Sequence, residues 1–111
     1  MTQTAEYRTA KLIDDAADLI EEKGWCRGRF ADGDRHCTLG ALRAVDPKDR
    51  YGYLTHAYYV AFEAVAGEVE KVAPGEGVAG WNDAQRDRRK VVRLLRRTAR
   101  KVRRSEIPVW P

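Results

Sequence analysis

Between Arg86 and Arg104 the chain carries 11 Lys or Arg residues against 1 Asp, yet apolar residues still return at every third or fourth position. A strand would alternate the two kinds of residue between its faces. A helix separates them, because about 100° per residue places Val91, Leu94, Leu95, Thr98, Ala99 and Val102 on one side, with Val92 at its margin. The opposite arc then holds Arg86, Arg89, Lys90, Arg93, Arg96, Arg97, Arg100, Lys101, Arg103 and Arg104, and Arg88 alone falls on the apolar side. Asn82 with Gln85 reads as a capping box, and Asp83 suits the positive end of the helix dipole, so the helix is expected over about 83–104. Ten cations along about 28 Å repel one another unless they are solvated, paired or set against a polyanion.

The formal charge of +4 over 111 residues hides this segment. Residues 1–85 hold 10 Lys or Arg and 15 Asp or Glu, a net of −5. Of the 21 basic residues 15 are Arg, a bias that suits phosphate binding and also accompanies GC-rich genomes. A chain of this length supports one core, so residues 1–104 read as a single helical domain and 105–111 as a short tail rich in Pro and Trp. No stretch is apolar enough to span a membrane and the start lacks a secretory pattern, so a cytoplasmic protein is expected.

Three further helices are expected. In the first, about 4–23, Ala5, Thr9, Leu12, Ile13, Ala16, Ala17, Leu19 and Ile20 share a face, while Asp14, Asp15, Asp18, Glu21 and Glu22 lie opposite. Gly24 ends it as a left-handed cap. The Gly/Asp-rich segment from Cys26 to His36, with its Asp32-Gly33 turn signal, is expected as an ordered loop, a very short hairpin being the other reading. A short second helix begins near 36–38 and stops before Pro47. A third, about 48–72, is expected to be the central element, followed by a Gly-rich linker over 73–80. The fold class is therefore mainly α, a compact bundle of about four helices.

Other constellations are weaker. Cys26, His36, Cys37 and His56 lack zinc-site spacing, so no metal is expected, and a Cys26–Cys37 disulfide is not expected in an intracellular chain. Cys37, His56 and Asn82 follow the order of a cysteine-protease triad, but His56 falls inside a predicted helix and Asn82 already has a capping role. The glycines at 75, 77 and 80 match a dinucleotide fingerprint without the strand that motif needs, so no cofactor is expected. Trp25 and Trp81 read as staples of helix ends, and Cys37 as a core residue.

Gly24-Trp25-Cys26 with Gly28, then Cys37-Thr38-Leu39-Gly40-Ala41-Leu42, then Trp81-Asn82-Asp83 before a helix with Val91, Leu94 and Ala99 follow one another over about 12–99. In this the chain resembles an uncharacterised family of small proteins found in actinobacteria and their phages. The resemblance implies a helical fold and a phage or actinobacterial origin, and supplies no catalytic residue. The arginine-loaded last helix and the tail depart from it, and any function particular to this chain is expected there.

The expected function is non-enzymatic binding or regulation, with the basic face engaging nucleic acid, DNA or RNA. The alternative is a protein-interaction module, in which that face and Ile107, Val109 and Trp110 of the tail capture an acidic host protein or a second copy of the chain. A cysteine-dependent hydrolase using Cys37 serves only as a test case.

Overall fold

The computed structural model describes residues 4–110. The first helix, α1 (Ala5–Lys23), starts where Thr4 accepts a hydrogen bond from the Tyr7 N–H at 3.0 Å, and ends as the Gly24 N–H bonds Ile20 O at 2.9 Å. Gly24 sits at φ +110°, and a Cβ there would lie 2.8 Å from Arg35 Cγ, so glycine is required on both counts. Residues 26–36 form the hairpin of the other reading: β1 (Ala31–Asp32) pairs antiparallel with β2 (Arg35–His36). His36 also bridges Trp25 in parallel, which ties the hairpin to the end of α1.

The next helix, α2 (Thr38–Val45), is capped by Cys37, whose Sγ accepts from the Gly40 N–H at 3.3 Å. Gly40 has no room for a side chain, because a Cβ would stand 1.9 Å from Phe30 O. Beyond α2 the expected long third helix is shortened. It begins at His56 rather than near 48, giving α3 (His56–Val72). Two aspartates capture the intervening backbone: buried Asp46 accepts from the Lys48 and Thr55 N–H groups, and Asp49 from those of Tyr51 and Tyr53. Such side-chain bonds compete with the helical ladder, and Lys48 at φ +60° and Gly52 at φ +85° complete the irregular path.

The expected linker over 73–80 is likewise partly helical. Gly77 opens α4 (Gly77–Asp83), and the last helix, α5 (Arg89–Arg103), begins six residues later than expected. Asn82 is thus no N-cap. It lies buried in α4, and Asp83 ends that helix instead of opening the next.

The central element is α1, not α3: α1 packs against α2, α3 and α5. Ile13 and Ile20 meet Leu42, Val65, Val69, Val91, Leu95 and Val102 in a core from which water is excluded. The anticipated apolar face of the last helix, Val91 through Val102, is buried throughout. Arg88, the cation out of phase with its neighbours, donates to Ile20 O and Glu21 O and so satisfies carbonyls at the end of α1. After α5 the chain turns at Ser105 (φ +56°), and Ile107 and Val109 pack on the body. Among the described residues no helix is long and apolar enough to cross a membrane.

Candidate nucleic-acid interface

The ten cations of α5 and its approach do not form one uniform face. On the edge turned to α1, Arg96 bonds Asp14 at 3.3 Å, Asp18 at 2.6 Å and Glu21 at 2.7 Å, and Arg103 reaches Asp14 at 2.6 Å. Burial opposes the Arg96 charge, but the three carboxylates outweigh it and raise its guanidinium above the ordinary value. The acidic face of α1 and one edge of the basic face therefore meet within a single chain. Helical spacing explains the result, since residues 96 and 103 are two turns apart on one line.

The edge turned to α3 is anchored by Glu68, which is 3% exposed. Lys101 bonds it at 2.6 Å and Lys71 at 2.8 Å, with Arg97 at 4.0 Å. Burial alone would push this carboxyl upward, yet the two lysine hydrogen bonds hold it below its ordinary value. Arg89 pairs with Asp87, whose pKa falls to about 2 under hydrogen bonds from the Arg89 side chain and backbone N–H. Arg104 stands 4.0 Å from Glu106.

What remains is a central row. Arg86, Lys90, Arg93 and Arg100 are exposed and form no ion pair among the described residues, and Arg97 continues their line with only its distant contact to Glu68. The arrangement presents fixed positive charge to solvent from a helix whose back and both edges are anchored.

The residues expected to be structural gather elsewhere, around Asn82. Its Oδ1 accepts from Trp25 Nε1 at 2.8 Å, from the Thr38 N–H at 2.9 Å and from Thr38 Oγ1 at 2.7 Å. Its Nδ2 donates to Cys26 O at 3.2 Å and to Asp83 Oδ1 at 3.0 Å, and Asp83 also accepts from the Gly28 N–H at 3.0 Å. Those bonds, the Gly28 N–H first, lower the Asp83 carboxyl. Trp81 is buried in the core beside this node. The three motif blocks of the sequence thus converge on one satisfied polar centre joining the α1 end, the start of α2 and α4.

Chemistry is not assembled from the cysteines. Cys26 is buried and its thiol is pushed up by burial, the reverse of an activated nucleophile. Cys37 Sγ caps α2, Asn82 serves the node, and His56 opens α3 with its ring against Trp110, centroids 4.6 Å apart. The tail residues lie along the body: Trp110 Nε1 donates to Glu63 at 3.0 Å, and Ile107 and Val109 pack against the core.

Sequence reasoning missed Glu68 and Asp46. Glu68 had a signal, since it interrupts the apolar register Val65, Val69, Val72 and so had to be buried or paired. Asp46 had none beyond its place before Pro47.

No curated protein and no solved structure matches the chain. A family model does, over residues 4–101, which include all three motif blocks and most of α5. The chain therefore belongs to DUF6197, a family of unknown function.

Proposed function

We propose that this is a small non-enzymatic binding or regulatory protein, of phage or mobile-element origin and cytoplasmic, that engages nucleic acid through the outer row of α5. One observation carries the reading: Arg86, Lys90, Arg93 and Arg100 stay exposed and form no ion pair among the described residues, while the flanking cations are tied to carboxylates of α1 and α3. Paired edges fix the helix, and an unpaired row lowers its self-repulsion by meeting phosphates. With no aromatic residue in α5, such a row positions a backbone and reads no base.

The test is fluorescence anisotropy against random duplex DNA and single-stranded RNA over a salt series, with protein freed of nucleic acid. Binding through about 4 to 6 phosphate contacts gives a log-log salt slope of about −4 to −5 on duplex DNA. Changing Arg93, Arg97 and Arg100 together to Glu abolishes it. Absence of binding at low salt overturns the reading and turns attention to an acidic host protein or self-association.

A further inference from the structure

The surface beside the outer row is concave. A cavity of about 490 Å³ opens between the end of α3, α4 and α5, lined by Val72, Glu76 and Trp81 on one side and by Lys90, Arg93, Leu94 and Arg97 of α5. A second, of about 360 Å³, lies over the turn between α4 and α5 and shares Ala84, Gln85, Lys90 and Arg93 with the first. Shared walls make them one groove following the first turns of α5. Each part falls in the range of roughly 300–1,000 Å³ typical of ligand sites.

The groove joins two chemistries that the rest of α5 keeps apart. Lys90 and Arg93 form no ion pair among the described residues, whereas Val72, a large apolar residue, remains 54% exposed in the same groove. A surface for phosphates alone has no use for that apolar wall. A nucleotide has both parts, a phosphate for the cations and a flat base for Val72. The Glu76 carboxylate and the Gln85 amide oxygen also line the groove and can accept from a base N–H group. Duplex DNA keeps its bases stacked inside and bends only over a length of about 50 nm, so it cannot fold its backbone into a recess of this size. A single strand can.

Resting on the reading of α5 as a nucleic-acid surface, we infer that this groove holds a nucleotide unit of single-stranded nucleic acid, with its phosphates on Lys90 and Arg93 and its base against Val72.

The test compares a single-stranded oligodeoxythymidine with a duplex of equal length by anisotropy, in the unaltered protein and in Ala84→Trp. Ala84 is exposed, and the indole fills the floor common to both cavities without changing charge. Thermal unfolding confirms that the variant folds, and Ala84→Leu serves as a smaller filler if it does not. The single strand is expected to bind roughly tenfold tighter than the duplex, and the filled groove to lose that advantage while duplex binding is unchanged. Equal affinity for both forms, or an unaffected Ala84→Trp, overturns the groove while leaving the charge-reversal result for α5 intact. Loss of binding to every nucleic acid overturns both readings. Displacement of the strand by thymidine monophosphate at equal nucleotide concentration overturns the strand in favour of a free nucleotide.

Discussion

Two polar regions of this molecule are built on opposite rules. Around Asn82, 1% exposed, both polar atoms of the side chain have partners, drawn from Trp25 and Cys26, from Thr38 and from the neighbouring Asp83. Along the outer row of α5, Lys90, Arg93 and Arg100 are exposed and form no ion pair among the described residues. The first region spends its hydrogen bonds on joining α1, α2 and α4, and leaves nothing to offer a ligand. The second adds nothing to the core and leaves its charge available. The residues of the three motif blocks thus specify the fold, and the candidate for function lies on the exposed side of α5.

The sharpest way to break this contrast is Asn82→Ala. It strands the Thr38 N–H and Trp25 Nε1 and is expected to cost about 3 kcal/mol, a fall in Tm of roughly 10–20 °C by calorimetry. Nucleic-acid binding below the new Tm should be unchanged, and a loss of binding in the folded variant would merge the two regions. Gly40→Ala comes next. Its methyl group collides with Phe30 O, and about 2–3 kcal/mol of stability should be lost in denaturant titration.

Glu68→Gln lies between the regions, because Glu68 is buried while the lysines it holds reach toward solvent. A loss of about 2 kcal/mol is expected. The pH dependence has a definite sign. The folded-state pKa of Glu68 lies below its ordinary value of 4.5, so its contribution is complete above that pH and disappears as the pH falls through the depressed value. Thermal unfolding followed from about pH 6 to about pH 3 should therefore show a steeper decline in the unaltered protein than in Glu68→Gln.

Smaller effects sharpen the division within α5 itself. Arg96→Met removes the link to Asp14, Asp18 and Glu21 and should cost about 1 kcal/mol, since the guanidinium is partly solvated. Arg93→Ala should change stability by no more than about 0.5 kcal/mol while weakening nucleic-acid binding.

The sequence made α5 legible because a strong period coincided with a strong charge contrast, and its buried residues fall on the predicted side one by one. It was less informative where side chains override local propensity. Asp46 and Asp49 draw residues 46–55 out of a helix that the apolar pattern of Tyr51 to Tyr58 favours. Asn82 reads locally as a cap, and only the arrival of Trp25 and Thr38 from distant segments gives it another role. The groove was invisible for a related reason: Val72 and Lys90 become neighbours only after α4 folds where a flexible linker was expected.

The most direct test of the division is the salt slope of nucleic-acid binding in three proteins measured side by side: unaltered, Arg93→Ala with Arg100→Ala, and Arg96→Met. The double variant is expected to lose about 2 units of log-log slope, one for each phosphate contact, and Arg96→Met to keep the slope of the unaltered protein. Equal loss in Arg96→Met, or an unchanged slope in the double variant, would contradict the assignment of binding to the unpaired row.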